Sequence, residues 1–435
     1  MSPTTAAIVG FVVLFLVMAA GMPIGFAMGL VGFTGLCYVA SPHVALVILA
    51  REFWDLWGSY ALTVIPMFML MGALASSSGI GTRLFVVGNA FFGHVRGGLA
   101  IATIAACAGF AAICGSTTAG AASMGKVALP EMKRYHYHPS LATGTVAAGG
   151  ALAVLIPPSS GFIIYGIITG ESIGKLFIAG VIPGIILSCL YMITVYILCT
   201  RDPKLGPPTQ SVRWKGRLRA LPKAIEVPLL FALVMGGLLS GFFSPTEAGA
   251  VGAGGVLIAI IARRLFTTHA FKAAVIDTVS TTCMVLVIVA GAMVFGRFIA
   301  MSRVSFELID WVNRLHLHPD IVMALIVLLY LVGGCLMETI SLIVLTLPVL
   351  FPIVVAIGFD PIWFGVFTVV LGEAAVITPP VGINVFVVKG VAPDVHMYTI
   401  FRGIVPFLYA IMLCLIIIFV FPQVVTYLPN LMYKF

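Results

Sequence analysis

Two apolar stretches of this chain are interrupted by residues that do not belong in an ordinary buried helix. The first breaks at Gly115-Ser116-Thr117-Thr118 and again at Ile156-Pro157-Pro158-Ser159. The second breaks at Met337-Glu338-Thr339 and again at Ile377-Thr378-Pro379-Pro380, with Gly382 close behind. Backbone in hydrocarbon must satisfy its own hydrogen bonds, so irregular backbone survives there only where it lines a protein-enclosed cavity. A helix end in such a cavity exposes carbonyls at its C-terminus and N–H groups at its N-terminus. Carbonyls and hydroxyls can replace the hydration shell of a small cation, and N–H groups and hydroxyls suit a carboxylate. Pro158 and Pro380 lack an N–H and free carbonyls about one turn upstream. Gly149-Gly150 and Gly382 allow close backbone approach. Residues 115–118 are expected to face 156–160, and 337–339 to face 377–382. That geometry offers two cation sites with a substrate site between them.

The available ligands are mostly neutral oxygens, which match sodium, a hard monovalent cation. A transition metal would want His or Cys, and only Cys114 and Cys335 stand near the tips, one in each half. Proton coupling would want a titratable carboxylate in each half, and only the second tip has one, Glu338. Glu338 is the acid singled out, because an ionisable residue at membrane depth is functional by default. Glu373, one turn before the second Pro-Pro, is weighed below it. Glu247 reads as a first-turn acid complementing a helix dipole, and Arg297 as a residue that either attracts a carboxylate or simply snorkels near a span end.

The elements that must position these residues are membrane helices. Of 435 residues, 61% are hydrophobic and 9% charged, and the mean hydropathy is +1.18. A soluble domain carries about 25% charged residues, so this is an integral membrane protein. The net charge of +8 would suit nucleic acid, but the basic residues sit in short loops between apolar spans, as positive-inside topology requires. The eight cysteines are scattered in apolar runs without a C-x-x-C and read as small buried residues. The N-terminus lacks the basic start of a signal peptide, so the run Ala6–Ala20 is expected to be retained.

Residues 1–59 read as scaffold: apolar helices Ala6–Ala20 and Ile24–Ala40, then an interfacial helix over 42–59 carrying Trp54 and Trp57. Residues 60–184 form a first transport repeat with a hairpin over 98–132 and a broken helix over 139–169. Each hairpin arm is roughly 25 Å long, short of the ~30 Å hydrocarbon core, so the hairpin is read as re-entrant. Residues 185–272 connect the halves, with a basic loop at 201–223 and spans Glu226–Phe243 and Thr246–Ala262. Residues 273–406 form a second repeat, with a hairpin over 320–357 (arms Asp320–Leu336 and Ile340–Ile357) and a broken helix over 361–389. Residues 407–435 belong to a last helix expected over Thr399–Tyr427.

The halves echo each other. Pro157-Pro158 recurs 222 residues later as Pro379-Pro380, and His138-Pro139 as Asp360-Pro361 at the same offset. Gly180 and Pro183 recur as Gly403 and Pro406, 223 residues on. With the loop 201–223 in the cytoplasm, all of the 23 lysines and arginines fall on that side except Arg51, Lys175, Arg297, Arg303, Arg314 and Lys434. The first hairpin then enters from the cytoplasm and the second from outside. The fold class expected is an all-α polytopic membrane protein with inverted-topology repeats, two re-entrant hairpins and two broken helices, the plan of a secondary transporter.

Several segments resemble the large membrane subunit of the TRAP (tripartite ATP-independent periplasmic) transporters, the DctM-like family. They are Gly93-His94-Val95-Arg96-Gly97-Gly98, Ala128-Leu129-Pro130-Glu131-Met132, Leu155-Ile156-Pro157-Pro158-Ser159, Lys175 through Gly184, Asp360 through Gly365, and Ile377-Thr378-Pro379-Pro380-Val381-Gly382-Ile383-Asn384. The resemblance covers nearly the whole chain. It implies sodium-coupled import of an organic acid such as a C4-dicarboxylate or sialic acid, elevator-type movement, and residence in the bacterial inner membrane. It also implies two partners, a small DctQ-like membrane subunit expected to be a separate polypeptide and a DctP-like periplasmic binding protein. It brings Asn384 into the second loop's site. Glu338 stands where the resemblance leads one to expect Asp. The other readings are a stand-alone sodium–dicarboxylate transporter and an intramembrane enzyme. An enzyme needs a catalytic constellation, and no H-E-x-x-H, nucleophile elbow or Walker A motif is present. No organic cofactor is expected. His136-Tyr137-His138 and His316-Leu317-His318 each precede a proline at a helix start and fall on opposite sides of the membrane, which speaks against a shared metal.

Overall fold

The computed structural model describes residues 2–209, 212–314, 318–335, 337–380 and 382–432. His316, Leu317, Leu336, Val381 and Lys434, named above, lie outside the described residues. All regular structure among the described residues is helical. The chain opens with α1 (Pro3–Ala19), α2 (Ile24–Val39) and α3 (Pro42–Gly58), and a 3-10 turn leads into α4 (Val64–Ser77) and α5 (Ile80–Phe92). The first hairpin is α6 (Gly98–Cys114) with α7 (Thr117–Arg134), and the first broken helix is α8 (Pro139–Leu155) with α9 (Ser160–Thr169). Then come α10 (Ile173–Arg201), α11 (Trp214–Ala220), α12 (Glu226–Leu239), α13 (Pro245–Ala262), α14 (Thr268–Ser302) and α15 (Val304–Arg314). The second hairpin is α16 (Pro319–Gly334) with α17 (Thr339–Ala356), and the second broken helix is α18 (Pro361–Ile377) with α19 (Ile383–Val391). The chain ends with α20 (Met397–Val420) and α21 (Gln423–Met432). Seven helices among the described residues are long and apolar enough to cross a membrane, or eight with the pair Trp214–Ala224 and Glu226–Leu239, bent by 53°.

Local chemistry sets these boundaries. Side-chain oxygens of Ser116, Ser159, Ser172 and Asp360 cap α7, α9, α10 and α18. Ser244 and Glu247 form a capping box at α13, which is the first-turn role read for that acid. His138 and His318 also act as caps: Nδ1 of each accepts an N–H, from Ser140 at 3.3 Å and from Asp320 at 3.5 Å. The structure differs from the sequence reading in three places. The polar loop holds α11, whose Trp214 ring packs edge-on to Phe91 of α5 and lies 5.8 Å from the Arg217 guanidinium. α14 begins before residue 273, because Thr267 caps it through Ala270 N–H at 3.2 Å. The last helix stops at Phe421, since the residue before Pro422 is pushed out of helical backbone.

Packing sorts the helices into two groups. α2 lies along α14, and α4 packs on α13 and α14. The other group surrounds α8 and α18, which are buried from Leu141 to Leu155 and from Ile362 to Ile377. α8 touches both arms of the first hairpin and also α18 and α20, while α18 touches both arms of the second. Helices buried on every face lie at the centre of a membrane bundle. The crossing of α8 with α20 is a backbone contact: a Cβ on Gly403 would stand 1.9 Å from the Ser140 carbonyl oxygen, and one on Gly144 2.3 Å from that of Gly403. α4 and α14 join the two groups, since α4 meets α6 and α14 meets α17.

Candidate functional site: two helix breaks facing two hairpin tips

The first tip turns at Gly115, whose φ is +65°, so that α6 ends and α7 begins within two residues. The Ser160 hydroxyl donates to the Gly115 carbonyl at 2.7 Å, and a Cβ on Gly115 would lie 3.2 Å from the Pro158 carbonyl oxygen. The tip therefore rests on the first break, and its glycine serves both the turn and the contact. Ser116 Oγ accepts the Ala119 N–H at 3.4 Å and lies 3.3 Å from Thr118 Oγ1. Ser159 Oγ donates to the Val154 carbonyl, one of those freed by Pro157-Pro158, and accepts the Phe162 N–H at 3.3 Å. Thr117 is buried as the first residue of α7. Ile156 packs against Gly184 of α10, and Gly149 stands in mid-helix against Cys107 Sγ.

The second tip meets the second break through different atoms. Cys335 Sγ lies between two carbonyl oxygens, 3.1 Å from that of Leu331 and 3.4 Å from that of Pro379, which its single S–H must share, and the Thr339 hydroxyl donates to Glu373 Oε1 at 3.0 Å. Glu373 is wholly buried, and its Oε2 has no partner among the described residues. Glu338 is the N-cap residue of α17, but its side chain caps nothing. Met337 is buried, and Thr378 donates to the Ala374 carbonyl at 2.6 Å. Gly382, with φ +57°, starts α19. Asn384 crosses between the halves: its Nδ2 donates to the Ala147 carbonyl of α8 at 3.3 Å, while its Oδ1 is buried without a partner among the described residues. Pro157 and Pro158 are buried, whereas Pro379 is half-buried and Pro380 exposed.

The structure thus joins the 115–118 tip to 156–160 through Gly115, while the second tip meets the second break through Cys335 at Pro379 and Thr339 at Glu373, partners that fall partly outside the expected 337–339 and 377–382. Within the expected 156–160 stretch it is Ser160 that bonds the tip, and the structure adds Cys335 and Glu373, which the sequence reading gave no ligand role or weighed low. Glu373 had a legible signal, being the one ionisable residue between Asp360 and Lys389.

Contacts outside the site fall into two groups. The basic loop docks under the first hairpin: Gly97 N–H donates to Gly206 O at 2.9 Å, His138 N–H to Leu205 O at 3.0 Å, and Thr209 N–H to Gly93 O at 2.8 Å. On the same side Glu226 bridges Arg83 and Arg263, at 2.7 and 2.6 Å. On the other, Arg297 pairs with the buried Glu52 at 2.6 Å. Arg297 thus keeps its side chain largely exposed while its guanidinium is held by a carboxylate of the protein itself.

Beyond the first hairpin's base, Lys133 Nζ lies 2.5 Å from Asp394 Oδ2, and both side chains are exposed. The hydrogen bond from Lys133 is the main cause that holds the Asp394 carboxyl below its ordinary value. The folded chain therefore binds this proton less tightly than the unfolded chain. The stabilisation is complete above the ordinary aspartate value, about 3.9, and is lost as pH falls through the lower folded value. The melting-temperature gap between wild type and Asp394→Asn should hold steady down to about pH 4 and close below it. A gap that widens on acidification would contradict the sign. In the adjoining turn, burial pushes the Tyr137 phenol up, and its oxygen accepts the Leu99 N–H at 3.1 Å.

Residues 11–424 match the family described as "Tripartite ATP-independent periplasmic transporter, DctM component". The chain belongs to this family. It is a transporter permease rather than an enzyme, and a multi-pass integral protein of the inner membrane. The C4-dicarboxylate TRAP transporter large permease protein DctM of Pseudomonas aeruginosa is 36% identical to this permease over 384 residues, covering 88% of this chain and 89% of that protein. The sialic acid TRAP transporter large permease protein SiaM of Vibrio cholerae is 32% identical over 413 residues, 95% and 96% of the two chains. In fold the permease is similar to the YdaH transporter of Alcanivorax borkumensis, with a TM-score of 0.64 at 15% identity over 88% of this chain and 89% of that one. It is also similar to MtrF of Neisseria gonorrhoeae, with a TM-score of 0.61 at 14% identity over 97% and 95%. At those identities the likeness concerns the fold alone.

Proposed function

We propose that this permease imports an organic acid together with sodium, taking the acid from a periplasmic binding protein and working beside a small membrane subunit. The observation that carries the reading is the paired geometry: each hairpin tip is seated on a helix break, and oxygen ligands surround both junctions. Ser116, Thr117 and Thr118 with the carbonyls of 156–159 would hold one sodium ion. Thr339, Thr378 and the carbonyls of 377–380, with the unpaired Glu373 Oε2 beside them, would hold the other. The residues fit a hard cation, because hydroxyl, carbonyl and carboxylate oxygens predominate there. Bound sodium supplies positive charge, at about 2.3 kcal/mol per charge per 100 mV, to bring an anion into a negative interior. Asn384 Oδ1, buried and without a partner among the described residues, and the N–H groups that open α9 and α19 would receive the substrate. The relatives that carry C4-dicarboxylates and sialic acid by name point to a carboxylate.

The inverted arrangement is supported by the segregation of contacts, with the basic loop, Arg83, Glu226 and Arg263 on one side and Glu52 with Arg297 on the other. In this reading α8, α18 and the hairpins move as one body against the α2–α4–α13–α14 group. The exposed Trp54 and Trp57 of α3, 80% and 64% accessible, offer a face to the small subunit. The test is uptake of a panel of acids by the reconstituted system, driven by a sodium gradient. Ser116→Ala and Thr339→Ala should each raise the half-saturating sodium concentration by about tenfold, the loss of one ion–oxygen contact, without changing the acid's affinity for the binding protein. Uptake that runs equally fast in potassium alone, driven by a proton gradient, would overturn the reading.

A further inference from the structure

Lys126 stands nine residues below the first tip on α7, roughly 13 Å along the helix axis. A lysine that deep in a hairpin arm is costly unless it is paired or faces water. It is exposed, and it makes no hydrogen bond or ion pair with the described residues. It opens instead into a cavity of about 440 Å³ between α7, the start of α8 and residues 391–395. That volume lies in the range of small-molecule sites, about 300–1,000 Å³. Lys133, two turns below on the same face of α7, lines the cavity too, as do Tyr137 and Asp394. Asp394 already pairs with Lys133, so the lining has a surplus positive charge, at Lys126.

The second repeat shows what this face looks like when covered. Pro348 recurs 218 residues after Pro130. Pro348 and Ile167 of α9 line a cavity of about 340 Å³, but its other wall is α14, through Val289, Met293 and Gly296. The cavity at Lys126 has no such wall, since its lining comes only from α7, residues 137–143 and residues 391–395. It opens on the side where the basic loop docks under Gly93, Gly97 and His138.

We propose that this cavity is an anion site on the cytoplasmic side, in which the carboxylate of the transported acid pauses on Lys126 before it leaves. The inference rests on the import of an organic acid argued above and adds a second station for it. Lys133 is the next donor on the route, and it becomes available when Asp394 lets go.

The test uses the reconstituted full system and the acid of the panel that it takes up fastest. Acid enclosed at the cytoplasmic face should inhibit uptake. Lys126→Gln should raise the internal concentration needed by about tenfold, as expected for one charge-assisted contact, and Lys126→Arg should restore it. Half-saturation from the outside should stay as in wild type. An unchanged internal value, or an equal loss on both sides, would overturn the site. Absence of sodium-driven uptake in wild type would instead overturn the function argued above. A second arm needs no transport. In the full chain carrying Leu129→Cys, the rate of modification by an anionic sulfonate thiol reagent over a cationic trimethylammonium one should exceed the background of the parent, and Lys126→Gln should abolish that preference. No preference would count against the proposal. Vesicles of phosphatidylcholine alone distinguish the ligand: an effect of Lys126→Gln that appears only when phosphatidylglycerol is added would mean that a lipid headgroup fills the site.

Discussion

Gly403→Ala is expected to unfold the permease or prevent its assembly, with a loss of about 3 kcal/mol or more. An added methyl in a packed core costs about 1–3 kcal/mol when neighbouring side chains yield. Here the new Cβ would stand 1.9 Å from the carbonyl oxygen of Ser140 and 2.7 Å from its carbon. Both atoms are backbone, so no rotamer change relieves the clash and the two helices must separate. α8 is the helix that cannot move cheaply. It ends at the first break and holds Asn384 through the Ala147 carbonyl. Gly144→Ala should behave alike, since its Cβ would meet the Gly403 carbonyl. Gly254→Ala on α13 is the control, because nothing lies within 4 Å of its added Cβ, and it should gain about 0.5–1 kcal/mol from helix propensity. Thermal unfolding in detergent measures all three. Equal melting temperatures for Gly403→Ala and Gly254→Ala would show that the crossing is not as tight as described.

Glu226→Ala should destabilise by about 3 kcal/mol, the lower end of the 3–5 kcal/mol for removing one partner of a buried ion pair. Glu226 is 7% exposed, Arg83 18% and Arg263 35%. The more exposed Arg263 recovers part of its interaction from water, which keeps the figure low. Both guanidiniums hold other ties, Arg83 to the Ser78 carbonyl at 3.0 Å and Arg263 to those of Pro222 and Lys223 at 3.4 and 3.2 Å. They would therefore stay in place and face each other without the carboxylate between them. Glu226→Gln keeps hydrogen-bonding atoms and should lose less. Combining Glu226→Leu with Arg83→Met should recover much of the loss, because an apolar replacement of a buried network is often neutral. The comparison is a set of thermal melts. A single variant as stable as wild type would mean that the bridge contributes nothing. Because the bridge ties α5 to α12 and α13, its loss should also lower uptake.

The sequence by itself determined that this chain is a helical membrane protein with a repeated plan. Its hydropathy leaves no alternative, and the Pro-Pro, Asp/His-Pro and Gly–Pro landmarks recur at a nearly fixed offset. Some helix ends lie close to where a local rule sets them, as at Ser159 and Asp360, because capping acts over three residues; the Thr267 cap of α14 follows the same rule, but the polar residues behind it hid the helix start from the sequence reading. The two helix breaks were legible for the same reason: proline acts on its own turn. The same rule marks a break at Pro422, which the sequence reading ran past because the apolar run continues beyond it.

The tertiary structure decided which oxygens meet. Nothing local says that Ser160 rather than Ser159 reaches the Gly115 carbonyl, or that Asn384 is held by Ala147, 237 residues away. Glu373 looked like an acid one turn before a break, and only the packing of α17 on α18 places Thr339 against it. Glu226, Arg83 and Arg263 are ordinary loop-side charges in the sequence and become one buried network because three helix ends converge. Such contacts depend on helix crossings, and crossings depend on small residues such as Gly144 and Gly403 meeting across the bundle. A one-dimensional pattern shows that a glycine is present; the backbone it must approach is known only once the other helix is in place.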